Sequence, residues 1–218
     1  MGTKRSYGDG CAIARGLDLV GERWALLIVR ELLLGPKRFT DLKRGLPNAS
    51  PNVLSERLRE LEQSGIVKRH TLPPPVSSQV YELTDWGREL EVIVVSLGRW
   101  ASGSPSPPSD APVGADSVAL ALRGLFDPVA ANGLQATYEL GLGDDRFRVD
   151  VAGGEIEVAR GGNEQADATI ETDANTLNSV LWGDRSLADA ERSRGIVVNG
   201  DQRAAERFFR LFPIPSSA

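Results

Sequence analysis

The sequence predicts two different folds in one chain: an N-terminal mostly-α winged helix (helices plus a β-hairpin wing), then a C-terminal α+β fold. For the second fold we expect an antiparallel sheet with packed helices. Apolar residues recur at helical spacing through most of residues 1–101, and strand-like alternation with turn residues dominates after residue 113. Between them, residues 102–112 are rich in Ser and Pro and lack apolar periodicity, so we expect a linker there. The predicted domains are 1–101 and 113–218.

Charge and composition separate the two halves further. Residues 1–101 hold 15 Lys and Arg against 12 Asp and Glu, a net charge of +3, whereas the remaining residues hold 10 against 18, a net charge of −8. A basic first half is expected if that half meets phosphate. The single cysteine excludes an intrachain disulfide framework, and no apolar run reaches membrane-spanning length. We therefore expect a cytoplasmic protein without a membrane partner.

The first domain begins with helices. Residues 11–34 predict two helices, interrupted at Gly21 and stopped by Gly35-Pro36. A short third helix is predicted over residues 39–46, with Thr40 placed to cap it. Residues 47–49 form a turn before the fourth helix. Two short helices joined in this way are typical of a helix-turn-helix DNA-binding module.

The fourth helix is the expected recognition helix. Ser50 caps it and Pro51 occupies its first position, while leucines at positions 54, 58 and 61 face the core. Side chains on the opposite face can read base edges, whereas Ser50 and the first free N–H groups can take a phosphate. A solvated surface helix is the alternative interpretation. The expected DNA contacts on this helix are Ser50, Pro51, Asn52, Ser55, Glu56 and Arg59, with Arg57 at the flank, and Arg38 and Thr40 join them from the third helix.

Two strand-like segments follow, residues 66–72 and 79–83, joined by a Pro-rich tip. A basic hairpin beside a recognition helix predicts a wing on the DNA backbone. Its expected contacts are Lys68, Arg69, His70, Ser77, Ser78 and Gln79. For His70, a neutral strand residue is an equal alternative. A last helix, capped by Thr84 and running to about residue 101, carries a broad apolar stripe that predicts a homodimer.

Several segments together resemble the HxlR group of MarR-like winged-helix regulators. They are Cys11 followed by Gly21-Glu22-Arg23-Trp24, residues 32–39, residues 50–58 and residues 81–87. The resemblance implies a homodimer bound to pseudo-palindromic double-stranded promoter DNA, and a sensing thiol at Cys11. A small residue packed beneath the dimer interface is the alternative role for Cys11. The wing tip departs from the family because it carries no arginine, which argues against deep minor-groove insertion.

In the second domain we expect one or two opening helices from residue 118 through 126 and on to 134. Four alternating strands (136–142, 146–151, 155–159 and 168–172), three helices (173–182, 186–194 and 201–212) and a short strand at 196–199 follow. Residues 167–172, 177–183, 195–201 and 208–212 resemble the sterol carrier protein type two-like fold, which implies an apolar tunnel for a hydrophobic small molecule. Core packing is the alternative role for its expected lining residues. These are Leu177, Val180, Leu181, Trp182, Phe208, Phe209 and Phe212.

These observations predict a dimeric DNA-binding regulator, a repressor, modulated by a hydrophobic ligand in the second domain. One alternative makes Cys11 a redox or electrophile sensor beside a structural second domain. Another treats the chain as a lipid-binding carrier module. We find no catalytic constellation, cofactor motif or metal-ligand spacing, so an enzyme is not expected.

Overall fold

The computed structural model describes residues 6–75, 77–104 and 111–213. Its contacts divide the chain into two compact units, Met1–Val94 and Val95–Ala218. This division falls inside a helix that ends at Ser102, ahead of the predicted linker. Because residues 105–110 lie outside the described part, the predicted limits of the domains and the linker remain predictions.

The helices and strands of the first unit follow the predicted order. They are α1 (Ala12–Val20), α2 (Ala25–Leu32), α3 (Phe39–Gly45), α4 (Pro51–Gln63), β1 (Val67–Thr71), β2 (Gln79–Leu83), α5 (Asp85–Arg88) and the start of α6 (Glu91–Ser102). Apolar side chains of α2, α3, α4 and the hairpin form one buried core. The winged-helix prediction is confirmed for this unit.

Two details of the first unit differ from the predictions. The expected single last helix is broken into α5 and α6. At the first of these, a Cβ on Gly87 would lie 2.1 Å from the carbonyl oxygen of Ile66, so α5 packs directly on the chain that enters β1. Thr40 is not the cap of α3, because it already lies inside the helix. The Asp41 carboxylate instead accepts the N–H of Arg38, the residue before the helix, at 3.2 Å.

The wing is a two-stranded antiparallel hairpin extended by one bridge. Val67 pairs with Leu83 at its base and Thr71 with Gln79 near its tip. Lys37, just before α3, exchanges both backbone hydrogen bonds with Tyr81 at 2.8–2.9 Å. The helix-turn-helix and the wing are therefore joined through the backbone, so the wing has a fixed place beside α3.

The second unit contains α7 (Ala115–Leu125), β3 (Ala136–Leu142), β4 (Asp145–Ala152), β5 (Glu155–Arg160), β6 (Ala168–Thr172), α8 (Ala174–Trp182), α9 (Leu187–Arg192), β7 (Val197–Gly200) and α10 (Gln202–Phe208). The sheet order is β5-β4-β3-β6-β7. The α+β class is confirmed, but the sheet is mixed, since β3 and β6 run parallel while the other neighbours are antiparallel. The last helix ends at Phe208, four residues earlier than predicted.

Candidate nucleic-acid interface

Helix α4 begins where the sequence predicts, and its outer face is polar. Ser50 Oγ accepts a hydrogen bond from the N–H of Val53 at 3.3 Å, and Pro51 is the first helical residue. The leucines at positions 54, 58 and 61 are fully buried. Because they occupy one side of the helix, the remaining side projects away from the core. Its exposed residues are Asn52, Ser55, Glu56 and Arg59.

The two arginines of α4 have different surroundings. Arg59 is exposed and has no ion pair among the described residues, so its guanidinium is available to a ligand. The side chain of Arg57 is only 12% exposed; it pairs with Glu60 one turn along the helix, and its Nη2 lies 4.0 Å from Glu22 Oε2. The structure therefore brings Arg59, but not Arg57, onto the open face of α4.

The predicted contacts at the start of α3 are both exposed. Thr40 projects outward, and Arg38 Nε lies 3.1 Å from Asp41 Oδ2. Arg44 also pairs with Asp41, at 3.3 Å, so one carboxylate serves two exposed arginines. Such exposed ion pairs contribute little to stability and open easily. Both arginines can therefore turn toward an anionic ligand.

The basic residues of the wing lie on two faces. Strand residues alternate, so Lys68 and His70 share one face with Glu82, while Arg69 points to the other. On that other side Arg69 Nε lies 3.9 Å from Glu62 Oε1, at the end of α4. A backbone lying along one face of the hairpin meets either Lys68 and His70 or Arg69. We therefore do not expect all three basic residues of the wing to contact one DNA backbone at the same time.

Glu82 is the acidic centre of the wing. Its carboxylate pairs with Lys68 Nζ at 3.3 Å and with Arg88 Nη2 at 2.8 Å, and lies 3.7 Å from His70 Nδ1. Partial burial acts to raise the pKa of Glu82, but the hydrogen bonds and charges of Lys68 and Arg88 outweigh it, so the pKa lies below its ordinary value. Glu82 is therefore ionised at neutral pH, and a phosphate must compete with it for Lys68.

At the wing tip, Ser77 and Gln79 are exposed and Ser78 is half-buried. The hairpin continues beyond the paired strands, because the N–H of Leu72 donates to the carbonyl oxygen of Ser78 at 2.9 Å. Val76 lies outside the described residues. The tip residues Ser77 and Gln79 are thus open to solvent, as a contact with the DNA backbone requires.

A buried ion pair holds the helix-turn-helix against the wing. Glu31 of α2 is 1% exposed and Lys37 is 8% exposed; their Oε2 and Nζ atoms are 2.6 Å apart, and Arg30 Nη2 lies 2.7 Å from the other oxygen of Glu31. A Cβ on Gly45, at the end of α3, would lie 2.2 Å from Glu31 Oε2. Glu31 thus fixes α2, α3 and the bridge to Tyr81 together.

Cys11 is an exposed free thiol at the N-terminus of α1. Its Sγ accepts a hydrogen bond from the N–H of Ala14 at 3.3 Å, which makes it the cap of the helix. The geometry is compatible with a sensing thiol, and in the single chain Cys11 is not buried.

Apolar side chains are left exposed on helices α1 and α6. In α6 no residue is buried, and Val92, Ile93 and Trp100 are 67%, 50% and 77% exposed. In α1, Ile13 is 77% exposed. A pocket of about 420 Å³ lies between α1 and the half-exposed Trp86 of α5.

Three of the predicted ligand-lining residues of the second unit lie together around one ring. The ring centroid of Phe208 lies 5.5 Å from Phe209, 5.0 Å from Phe212 and 5.1 Å from Tyr138, so these four rings form an aromatic cluster. Trp182 joins it through its Nε1–H, which donates to the carbonyl oxygen of Phe212 at 3.1 Å. Of the seven predicted residues, Leu177, Phe208 and Phe212 are buried, whereas Val180, Leu181, Trp182 and Phe209 are half-buried.

Tyr138 brings a polar group into that cluster. Its side chain is fully buried, and its hydroxyl has no hydrogen-bond partner among the described residues. Burial, followed by the charge of Asp167, raises the pKa of Tyr138 to about 12. The hydroxyl is therefore neutral throughout the physiological range.

Across residues 6–75, 77–104 and 111–213, no helix is long and apolar enough to cross a bilayer. The same residues contain no group of three or more His, Cys, Asp or Glu side chains arranged to hold a metal ion.

Comparison with known proteins identifies the family of the first unit. Residues 19–107 match the family model described as HxlR-like helix-turn-helix. The uncharacterized HTH-type transcriptional regulator YvaP of Bacillus subtilis (strain 168) is 43% identical over 88 residues, which span 40% of this chain and 82% of YvaP. The chain belongs to the HxlR-like helix-turn-helix family. The HTH-type transcriptional regulator YodB of the same organism is 41% identical over 84 residues, 38% of this chain and 75% of YodB.

Among solved structures, the redox regulator HypR in its oxidized form is 32% identical to this HxlR-type chain. The match covers 44% of this chain and 100% of HypR, with a TM-score of 0.41. For the second unit, residues 116–218 match the family model described as alkyl sulfatase C-terminal. The family that matches is thus described as alkyl sulfatase C-terminal, and not as the sterol carrier protein type two-like fold that we expected.

Sequence reasoning missed two features of this HxlR-type chain. The first is the pairing of Lys68 with Glu82 on the wing, which strand alternation indicates once Lys68 and Glu82 are placed opposite each other. The second is the pairing of Arg57 with Glu22, which joins residues 35 positions apart and had no signal in the sequence pattern.

Proposed function

We propose that this HxlR-type transcriptional regulator binds pseudo-palindromic promoter DNA as a homodimer and acts as a repressor. One observation carries the proposal: the outer face of α4 is exposed and polar at the capped end of the helix, beside a basic wing. The N-terminal residues of a recognition helix are those that reach base edges. Family membership supports the same function, because the relatives YvaP and YodB are named transcriptional regulators.

On DNA, α4 enters the major groove, and each residue of its outer face makes a different contact. Asn52 reads adenine, Arg59 reads guanine through a bidentate pair, and Glu56 accepts from cytosine. Ser55 serves either base type, while the N–H of Asn52, which neither Ser50 nor the helix engages, takes a phosphate. The wing lies on the backbone through Lys68 and His70 or through Arg69, with its tip serines and Gln79 alongside.

The homodimer is supported by the uncovered apolar residues of α1 and α6. An exposed Trp100 and its apolar neighbours on one helix are unusual on a monomer surface, because large exposed apolar patches mark interaction sites. A two-fold symmetric dimer presents two α4 helices to half-sites about 34–36 Å apart, one turn of DNA.

The second unit is proposed to bind an amphiphilic effector with an apolar chain. Support comes from the aromatic cluster around Phe208 and from the match to the C-terminal part of alkyl sulfatases, enzymes named for alkyl sulfates. The sterol-carrier-like resemblance points to the same ligand class. Such a ligand changes DNA affinity only if it binds the DNA-competent and incompetent states differently.

A second candidate function makes Cys11 the sensor. It is favoured by the exposure of the thiol and by its position as the cap of α1. Relatives at 32–35% identity include the redox regulator HypR, solved in its oxidized form, and YodB, solved bound to a quinone. In this alternative the second unit is structural.

The proposal is tested by selecting binding sites from randomised double-stranded DNA with the full chain. Arg59→Ala should weaken binding to the selected site by about 1–3 kcal/mol and leave nonspecific binding unchanged. Arg203→Ala, at an exposed arginine on α10 of the second unit, is the matched control and should have no effect on the specificity. If wild type enriches no sequence, or Arg59→Ala retains full specificity, the proposed α4 interface is wrong.

The two effector hypotheses separate in one further experiment. The complex with the selected DNA is titrated with a medium-chain alkyl sulfate below its micellar range, or with a quinone, using wild type and Cys11→Ser. Release by the alkyl sulfate that persists in Cys11→Ser supports the second unit as the effector domain. Release by the quinone that is lost in Cys11→Ser supports the thiol sensor instead.

A further inference from the structure

Arg57 is enclosed between α4 and the segment that joins α1 to α2. Its Nη1 pairs with Glu60 on its own helix, and its Nη2 faces Glu22 in the joining segment at 4.0 Å. The side chain is 12% exposed, and its Nε is buried. An arginine held in this way is not available to a phosphate or a base. Its position instead links the recognition helix to the beginning of the chain.

The joining segment that carries Glu22 is itself tightly constrained. A Cβ on Gly21 would lie 2.5 Å from the carbonyl oxygen of Leu17, so α1 ends in close contact with its own last turn. Trp24 has a φ of +79°, a left-handed conformation that is strained for a non-glycine residue. The Arg23 guanidinium lies 5.1 Å from the centroid of the Trp24 ring. Glu22 is therefore presented from a segment with little freedom.

We infer that Arg57 is a positioning residue that sets the orientation of α4 relative to α1, and through it the half-site spacing that the dimer accepts on DNA. The inference deepens the proposed function and rests on it. Helix α1 carries exposed apolar residues such as Ile13 that are proposed to meet the partner copy. Helix α4 carries the base-reading face. The angle between these two helices decides where each recognition helix stands in the dimer.

The geometry makes half-site spacing sensitive to this angle. Helix α4 has 13 residues and is therefore about 20 Å long. A tilt of roughly 10° moves one end by about 3 Å relative to the other, which is close to the rise of one base pair, about 3.4 Å. A brace that limits the tilt of α4 thus limits the spacing of half-sites to within about one base pair.

The test is a spacing series. DNA selected with the wild-type chain is rebuilt with its half-sites moved apart or together by one and two base pairs, and binding is measured for wild type, Arg57→Gln and Glu22→Gln. We expect wild type to prefer the selected spacing by about tenfold over a one-base-pair change, and both variants to prefer it by less than about threefold. Base preference within each half-site should persist in both variants.

Arg59→Gln is the matched control, because it lies two residues away on the same helix and faces outward. It should lose base preference at one position and keep the wild-type spacing profile. The double variant Arg57→Gln/Glu22→Gln should show no further broadening than Arg57→Gln alone, since that substitution already removes the pairing with Glu22.

The outcomes of the spacing series distinguish this inference from the proposed function. If wild type selects no paired half-sites, the proposed function fails. If wild type selects them and the folded Arg57→Gln and Glu22→Gln variants keep the wild-type spacing profile, the positioning role is wrong. A merely structural role for Arg57 would lower the unfolding temperature without changing the profile. Glu22→Gln keeps the experiment decisive if Arg57→Gln does not fold, because Glu22 is 53% exposed.

Discussion

Each unit buries polar groups, and Glu31 of the first unit differs from Tyr138 of the second in whether the buried group has a partner. In the first unit, Glu31 is buried against Lys37 at 2.6 Å and Arg30 at 2.7 Å, so the carboxylate has a cation on each oxygen. In the second unit, the Tyr138 hydroxyl is buried with no partner among the described residues. Both groups are shielded from water, yet only one is charged.

The difference follows from the free energy of removing each group from water. An uncompensated buried charge is destabilising by several kcal/mol, so it requires a partner. A neutral hydroxyl left unpaired is destabilising by only about 1–3 kcal/mol, which the aromatic packing around Tyr138 can offset. The ion pairs of Glu31 therefore fix the positions of the residues that they join, whereas the Tyr138 hydroxyl is buried without fixing a partner. Substitutions at Lys37 and at Tyr138 should therefore differ in the sign of their effect on the free energy of unfolding at neutral pH.

The largest expected effect is at the paired site. Lys37→Met removes the cation on Glu31 Oε2 and leaves Arg30 on the other oxygen, so the free energy of unfolding should fall by about 2–4 kcal/mol. Chemical denaturation of the full chain at pH 7 measures the change.

The double variant Glu31→Leu/Lys37→Met is the control for this prediction. It removes both charges from the buried site and should recover part of the lost stability, because apolar side chains of similar size do not need pairing. A single variant as stable as wild type would show that Glu31 is not held by this ion pair.

The structure also shows which features could be predicted from the sequence. The cap at Ser50 and the three inward leucines of α4 were predicted because both depend on neighbours within one or two turns. Strand alternation likewise placed β3 and β6. It could not show that they pair in parallel, since alternation describes faces and not partners.

Features that depend on contacts between residues far apart in the chain could not be predicted from the sequence. The break between α5 and α6 lies at residues 89–90, and the close packing of Gly87 on the carbonyl of Ile66 lies just before it; helical periodicity shows neither. The α4 face was predicted correctly for Arg59 as an outward side chain. Arg57 differs only because Glu22 reaches it from another segment. The exposed residues of α4 were therefore predictable, but the contact of Arg57 with Glu22 was not.

The next effect in size concerns alkaline pH. The pKa of Tyr138 is raised to about 12 in the folded chain, above its ordinary value of about 10. The folded state keeps this proton while the unfolded state loses it, so stability is complete below about pH 10 and falls as the pH rises toward 12. The expected loss is about 2–3 kcal/mol between these limits.

Tyr138→Phe isolates this contribution, since lysines and other groups also titrate in that range. The difference in unfolding free energy between wild type and the variant, measured at pH 8 and near pH 11.5, should change in favour of the variant as the pH rises. A difference that is independent of pH would mean that the hydroxyl titrates equally in both states and is not buried as described.

The smallest expected effect is that of the same substitution at neutral pH. Tyr138→Phe deletes a hydroxyl that has no partner among the described residues and keeps the ring on Phe208, so the free energy of unfolding should stay the same or rise by up to about 1 kcal/mol. Thermal or chemical unfolding at pH 7 measures it. A loss of more than about 1 kcal/mol would show that the hydroxyl donates a hydrogen bond in solution. In that case the Tyr138 hydroxyl, like the Glu31 carboxylate, would require a partner, and the contrast between the two residues would disappear.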